Sequence, residues 1–421
     1  MEASGLKRAV SRWEIVGLAL NDVVGSGVYL LPAAAAALLG PASLWAVVVA
    51  GFAVLLLVLC FAEAGSYFDQ PGSAYLYART AFGDLVGFEV GWMTWLARVS
   101  SVASLSAGFA QALGYLWPAA NVGYGRAVAI VLPLAALTMI NVAGVRSGAR
   151  TAVFLAICKI VPLLIFVAAG ASAVSWSLAR ASGTLHPAKL GEAALLLLFA
   201  YAGFENTAAP AGEFKDPRRD VPYALIAQIV IVTLLYTAVQ WVALGTLPGI
   251  AASQTPLADA ARLVLGTWGG WLLTIGGAIS ILGTNSNTVL SGPRYLFALA
   301  ERGFGPRGLA AVHPRFKTPA VAIVVQSAIA LPLALTGSFV GLAALSVVAR
   351  LATYFGTAVA VPFLRRKLPQ AGFRLPGGPA IPIAASLLCI GLAASATATN
   401  LVAGALAILA GLPIYLWRRK S

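Results

Sequence analysis

Long apolar segments separated by short polar loops recur along the whole chain. A helix that crosses a bilayer needs about 20 mostly apolar residues. Twelve segments meet this length: 12–39, 42–68, 82–117, 126–144, 151–173, 190–213, 220–246, 266–298, 318–336, 338–362, 380–397 and 399–417. The pattern predicts an all-α membrane protein with twelve transmembrane helices. Since no soluble domain or long linker interrupts the pattern, we expect residues 1–421 to form a single transmembrane domain.

The first segment contains residues that interrupt a helix. Gly25, Ser26 and Gly27 lie in its middle, and Pro32 follows within two turns. Glycine lowers helix propensity, and proline lacks the N–H that a continuous helix needs. A freed backbone group in lipid is costly unless protein, water or a ligand satisfies it. The pattern therefore favours a broken helix beside a cavity, whose free N–H groups after Gly27 would face a carboxylate. A kinked helix with close-packed glycines is the alternative.

The sixth segment is interrupted in a similar way. Its apolar run ends at Tyr201, Ala202 and Gly203, and Glu205 and Pro210 follow. Because five spans precede it, the sixth enters the membrane from the side opposite to the first. Broken helices at matching positions of two inverted halves indicate the central site of a secondary transporter. The predicted halves are residues 12–173 and 190–362, and residues 380–417 form two appended helices that serve packing or a homodimer contact.

Composition and charge agree with a membrane location. The chain is 60% hydrophobic and 10% charged, which excludes an ordinary soluble domain. The net charge of +14 does not indicate nucleic-acid binding, because most of the basic residues fall in alternate loops. Arg126, Arg180, Lys189 and Arg262 are assigned to the opposite side. The positive-inside rule then predicts a multi-pass protein of the inner (plasma) membrane with both termini in the cytoplasm.

The residues that several other classes of protein need for their function are missing from this sequence or lie far apart in it. The three cysteines lie inside apolar spans, and His186 and His313 fall in loops on opposite sides. These positions argue against a disulfide framework, a metal site and a histidine-based catalytic triad. The sequence also has no GxxxxGK[ST] motif for a nucleotide. We therefore expect no enzyme activity, no cofactor and no metal.

Four motifs carry a family resemblance. They are 25–32 (GSGVYLLP), 71–77 (PGSAYLY), 199–205 (FAYAGFE) continuing into 212–222 (GEFKDPRRDVP), and 294–303 (RYLFALAERG) followed by 313–319 (HPRFKTP). With these motifs the chain resembles permeases of the amino acid–polyamine–organocation (APC) superfamily over nearly its whole length. The resemblance implies the five-plus-five inverted repeat of the bacterial leucine transporter fold, with broken helices 1 and 6.

The resemblance also implies a substrate site at the two breaks. The substrate carboxylate would lie on Ser26 and Gly27, and the α-amino group on backbone carbonyls near Val23, Phe199 and Ala202. Phe199 matches the aromatic residue that closes over the substrate, and Asn287 falls where relatives contact the side chain. The implied substrate-binding residues are Val23, Gly25, Ser26, Gly27, Phe199, Ala202, Gly203 and Asn287.

Six charged residues lie inside the predicted spans, where each is costly. The cations are Arg98, Lys159 and Arg350, and the acids are Asp22, Glu89 and Glu205. Equal numbers suggest static ion pairs for most of them, including Glu89. Asp22 either neutralises Arg98 or Arg350 or favours a substrate with extra positive charge. Glu63, at the cytoplasmic end of the second span, is expected to be structural.

Lys159 has a separate interpretation. It matches a lysine that some relatives place where sodium-coupled members of the wider fold bind Na⁺, which implies that this chain has no sodium site. Lys159 can carry protons only if it is desolvated and no acid pairs with it tightly. Otherwise it is a fixed cation that braces the first span, and Glu205 or Asp22 becomes the titrating group.

These observations predict a sodium-independent, proton-coupled symporter of small or apolar neutral amino acids, driven by the proton gradient. An amino acid exchanger is the alternative, followed by an amino acid sensor that does not transport. The expected partners are the amino acid substrate and the lipid bilayer.

Overall fold

The computed structural model describes residues 10–68, 73–144, 149–179, 186–207, 214–368 and 371–416. Within these ranges the chain is helical apart from loops and one isolated parallel bridge between Val10 and Phe214. The α-helices are α1 (Arg12–Val23), α2 (Ser26–Leu39), α3 (Ser43–Ser66), α4 (Ser73–Phe82), α5 (Asp84–Leu113), α6 (Gly123–Ala143), α7 (Ala149–Gly170), α8 (Trp176–Ala179), α9 (Pro187–Tyr201), α10 (Pro217–Thr246), α11 (Pro256–Glu301), α12 (Ala320–Thr336), α13 (Phe339–Lys367), α14 (Ala380–Ala394) and α15 (Ala398–Leu416).

The break predicted in the first segment is present. Helix α1 ends at Val23, Val24 has an extended conformation, and α2 begins at Ser26. Pro32 lies inside α2 and does not end it, so its expected contribution to the break is wrong. The interruption therefore comes from residues 24–25 alone.

The break in the sixth segment is also present. Helix α9 ends at Tyr201, and Gly203 has a φ of 127°, in the region that favours glycine. A short 3₁₀ helix, Phe204–Asn206, follows. Pro210, the last of the predicted interrupting residues, lies outside the described residues.

The two breaks pack directly against each other. A Cβ atom at Gly203 would lie 2.6 Å from the backbone oxygen of Asp22, and one at Gly27 would collide with the backbone and side chain of Ala200. Glycine is required at both positions because it lets two backbones approach closely. The unpaired ends of α1, α2 and α9 consequently meet at one place.

Helix α5 runs through the centre of the bundle. It packs against α13 on one side and α11 on another, with α4, α6, α12 and α15 around it. Helix α10 packs on α3 and α1, and α2 packs on α9. Helix α2 also contacts α11 and α5, and α9 contacts α13. The breaks of the first and sixth segments therefore lie close to α5, α11 and α13.

The outer surface of the bundle is apolar. Seven helical stretches of the described chain are long and apolar enough to cross a membrane by length and composition. Large side chains such as Leu132, Leu164, Leu234 and Leu409 are more than half exposed in the middle of their helices. Soluble monomers rarely expose apolar patches of this extent, which agrees with a lipid-facing surface. The number of spans stays a prediction.

Two segments differ in detail from the sequence-based prediction. The stretch between the second and third predicted spans (42–68 and 82–117), where a loop was expected, contains most of the amphipathic helix α4. Helix α11 starts ten residues before the predicted eighth span, and Gly266, with a φ of 68°, divides it into two parts. Helix α4 is short and follows Pro71 and Gly72, residue types that are common in loops, so its sequence did not indicate a helix. The division of α11 at Gly266 coincides with the predicted start of the eighth span.

Candidate functional site

A cavity lies where the two breaks meet α5, α11 and α13. Every residue that the resemblance implied for substrate binding lines it, together with Asp22. The complete lining is Asp22, Val23, Gly25, Ser26, Gly27, Arg98, Ser101, Leu105, Phe199, Ala202, Gly203, Asn206, Thr284, Asn287, Thr288 and Arg350. The sequence therefore located the cavity on α1, α2, α9 and α11, but gave no site role to the residues from α5 and α13.

The α2 wall of the cavity offers hydrogen-bond donors. Ser26 and Gly27 form the first turn of α2, whose N–H groups have no intrahelical partner. The Ser26 hydroxyl is buried and has no hydrogen-bond partner among the described residues. Both features suit an anion, because the positive end of the helix dipole adds to the donors.

The α1 wall offers oxygen atoms. The Val23 carbonyl accepts a hydrogen bond from the Tyr236 hydroxyl at 3.3 Å, and the Val24 carbonyl accepts one from Ser280 at 3.1 Å. A carbonyl oxygen has two lone pairs, so Val23 keeps acceptor capacity. Donors on one wall and acceptors on the other fit the two ends of an amino acid zwitterion.

Asp22 lies on the same wall and accepts a hydrogen bond from the side-chain amide of Asn287. No ion pair joins Asp22 to Arg98 or Arg350 in the described part of the chain. The alternative in which Asp22 forms a direct ion pair with either arginine is therefore not found among the described residues. The reason is that both guanidinium groups lie on another carboxylate.

That carboxylate is Glu205, which lies behind the cavity wall. Its Oε1 contacts Arg350 and also Nη2 of Arg98, at 3.4 Å, and its Oε2 accepts the backbone N–H of Gly203 at 2.9 Å. The Tyr354 hydroxyl lies 3.4 Å from Oε2. All three charged side chains are almost fully buried. A buried charge is tolerated when it is paired and hydrogen-bonded, and this cluster connects α5, the second break and α13.

Lys159 lies on α7, outside the cavity lining, and is fully buried. Its ammonium group donates to the backbone oxygen of Asn21 at 2.9 Å and to the Thr284 hydroxyl at 3.0 Å. Thr284 itself lines the cavity. The lysine thus connects α1, α7 and α11 just behind the first break.

Glu63 and Glu89, the two remaining acids, lie outside the cluster around Glu205. Glu63 is fully buried and accepts two hydrogen bonds from Arg365, at 2.6 and 2.7 Å, and one from the Leu375 N–H, at 2.8 Å, which agrees with a structural role. Both carboxylate oxygens of Glu89 lack a hydrogen-bond partner among the described residues. The static ion pair predicted for Glu89 is wrong, because two of the three cations lie on Glu205 and Lys159 lies on neutral oxygens.

Sequence reasoning missed the cavity residues contributed by α5 and α13. Arg98 and Arg350 line the cavity, whereas the sequence suggested ion pairing alone. Their position inside apolar spans was the available signal, because an ionisable residue at membrane depth marks a functional site by default. Ser101 on α5 carries no such signal, and neither does Thr288 on α11, since small hydroxyl residues are common between membrane helices.

Comparison with known proteins identifies the family. A family model described as amino acid permease matches residues 10–416. The serine/threonine exchanger of Bacillus subtilis (strain 168) is 29% identical over 436 residues, covering 100% of this chain and 98% of the relative. The branched-chain amino acid permease of the same organism is 29% identical, covering 99% and 94%, and its methylthioribose transporter is 27% identical, covering 100% and 95%.

The match extends over nearly the whole chain and agrees with the apolar helices and the resemblance in the four motifs. The protein is a multi-pass membrane protein. It belongs to the amino acid permease family of the APC superfamily.

Proposed function

We propose that this protein is a sodium-independent secondary transporter of amino acids that couples uptake to proton entry. The observation that carries the proposal is the cavity at the two helix breaks, with donors on the α2 wall and acceptors on the α1 wall. A zwitterionic α-amino acid presents the complementary pair of charges. Amino acid permeases among the relatives support the same substrate class.

The proposed architecture is the five-plus-five inverted repeat with twelve spans and two appended helices. Breaks in the first and sixth segments, packed against each other, support it, since transporters of this kind build their site from paired broken helices. The basic loops support a cytoplasmic location of both termini at the inner membrane.

The surroundings of Lys159 support sodium independence and a proton role. Its ammonium group occupies the space between the first break and α11, where it donates to Asn21 and Thr284. It is fully buried, and no carboxylate pairs with it among the described residues. These are the two conditions under which Lys159 can carry protons.

The cavity supports small substrates, but its lining favours polar over apolar side chains. Ser101, Asn206, Thr284 and Thr288 lie beside the charged groups, whereas Leu105 and Phe199 are its large apolar residues. An apolar side chain would leave the buried Nε–H of Arg98, which has no hydrogen-bond partner among the described residues, unsatisfied. The part of the prediction that included apolar amino acids is therefore the less supported part.

Uptake into proteoliposomes tests the proposal. We expect purified protein to accumulate an amino acid when the outside is made acidic, with equal rates in sodium and in potassium buffers. A requirement for sodium would reject the role proposed for Lys159. The absence of both uptake and counterflow, despite binding, would favour the sensor.

An exchanger is the second candidate, because the serine/threonine exchanger is 29% identical over the whole chain. Uptake that needs amino acid inside the vesicles and ignores the proton gradient would favour exchange. Uptake into empty vesicles that follows the gradient would favour symport.

A further inference from the structure

The charges around the cavity do not balance while Lys159 carries its proton. Five ionisable side chains lie in it or directly behind it: Asp22, Arg98, Lys159, Glu205 and Arg350. When all five are ionised, three are cations and two are carboxylates, so one positive charge stays uncompensated in this protonated state. Charge is costly at membrane depth, and a zwitterionic substrate without net charge does not remove the excess.

The unused donor belongs to Arg98. Arg350 is occupied: its guanidinium contacts Glu205, donates to Ser101 at 2.8 Å and reaches Ser346 at 3.4 Å. Arg98 uses Nη2 for Asn206 and Glu205, but its Nε–H is buried without a partner in the described part of the chain. Only 3% of Arg98 is exposed, and it lines the cavity. A buried unpaired donor of a charged group is costly, so an acceptor on the substrate is the partner it lacks.

The walls of the cavity together match three charged groups. The end of α2 suits one carboxylate, the oxygens of α1 with Asp22 suit one ammonium group, and Arg98 on α5 suits a second anionic group. An amino acid with a carboxylate in its side chain has this set of groups and one net negative charge. That charge equals the excess in the site while Lys159 is protonated.

We propose that Arg98 selects acidic amino acids, that is, substrates whose side chain ends in a carboxylate. This inference rests on the proposed function and narrows its substrate class away from the neutral amino acids expected from the sequence. The two carboxyl ends would be held on different walls, by the first turn of α2 and by Arg98. An amide side chain of the same size brings an acceptor but leaves the positive charge in place.

A comparison of acids with their amides tests the proposal on wild-type protein. Purified protein is titrated with L-aspartate, L-asparagine, L-glutamate and L-glutamine, and its melting temperature gives the affinity of each. A hydrogen bond between two charged groups is stronger than one to a neutral amide, so we expect one acid to bind about tenfold or more tightly than its amide. Equal affinities, or tighter binding of the amides, would overturn the proposal.

The variant Arg98→Gln locates the effect. This variant leaves Glu205 paired with Arg350. We expect it to bind the acid and its amide with about equal affinity, because the charge-assisted hydrogen bond is removed. Arg262→Gln is the matched control, since Arg262 is exposed on α11 outside the cavity lining, and it should keep the wild-type preference. If Arg98→Gln does not fold, the wild-type comparison still decides.

Uptake measurements distinguish a failure of the Arg98 proposal from a failure of the proposed transport function. Transport of neutral amino acids that aspartate and glutamate do not inhibit would refute the role of Arg98 and leave amino acid transport standing. Failure of all twenty amino acids to bind or enter would refute the proposed function itself. Inhibition by the acids in wild-type protein, lost in Arg98→Gln, would support both.

Discussion

At the scale of single residues, two of the side chains that line the cavity keep a buried donor without a partner in the described residues. They are Ser26 on α2 and Arg98 on α5. Buried donors are almost always hydrogen-bonded in native proteins, so each exception asks for an explanation. A bound amino acid with acceptor oxygens on two sides explains both.

Replacement of Ser26 tests the carboxylate end. Ser26→Ala should weaken substrate binding by about 0.5–1.5 kcal/mol for a neutral hydrogen bond, and by up to ~3 kcal/mol if the acceptor is charged. Binding measured by thermal shift checks this, with Ser386→Ala on α14 as the control, because the Ser386 hydroxyl donates to the Pro382 carbonyl away from the cavity. An unchanged affinity in Ser26→Ala would move the carboxylate elsewhere. A substitution at Gly27 is a poorer test, because its Cβ would collide with Ala200.

Replacement of Lys159 tests whether this residue couples uptake to the proton gradient. Lys159→Ala removes the ammonium group that donates to Asn21 and Thr284, and we expect it to abolish uptake driven by an inward proton gradient. Lys189→Ala, at an exposed position on α9, is the control and should transport normally. Proton-driven uptake that survives in Lys159→Ala would make Glu205 or Asp22 the titrating group.

At the scale of elements, the sequence predicted the position of each helix break, because glycine and polar residues disturb a helix locally. The runs around Gly25 and Gly203 therefore predicted both interruptions, and the resemblance supplied the residues of their walls. The sequence did not predict that Arg98 and Arg350 share the carboxylate of Glu205. Arg98, Glu205 and Arg350 are more than a hundred residues apart along the chain, and the sequence supplies equal numbers of charges without saying which of them meet.

The contact between the two breaks gives an element-scale prediction. Gly203→Ala adds a Cβ 2.6 Å from the Asp22 oxygen and forces alanine into a φ of 127°, so it should lower the melting temperature and remove stabilisation by substrate. Gly249→Ala is the control: its φ is 70°, but no atom lies within 4 Å of the added Cβ. Its cost should be limited to about 1–2 kcal/mol of backbone strain. Similar melting temperatures for the two variants would show that the breaks separate freely.

At the scale of the whole molecule, the basic loops predict which face is cytoplasmic. Val122, between α5 and α6, and Val312, between α11 and α12, are 66% and 51% exposed and fall on opposite predicted sides. After replacement of Cys60, Cys158 and Cys389, we expect a membrane-impermeant maleimide to label Val122→Cys on intact cells. It should label Val312→Cys only after the cells are permeabilised. The reverse pattern would invert the proposed topology.

The ammonium group of Lys159 has a consequence for where such a protein can work. A cation bound from the medium is present only as often as its concentration allows, and removing it leaves the site incomplete. A cation carried on a side chain has an effective local concentration that dilution does not change. Nζ of Lys159 lies 2.9 Å from the backbone oxygen of Asn21, and its attachment to the chain does not depend on the salt outside. If transport is independent of sodium, as proposed, a cell living in fresh water, where sodium is scarce, would keep the first helix break assembled as well as a cell living in brine.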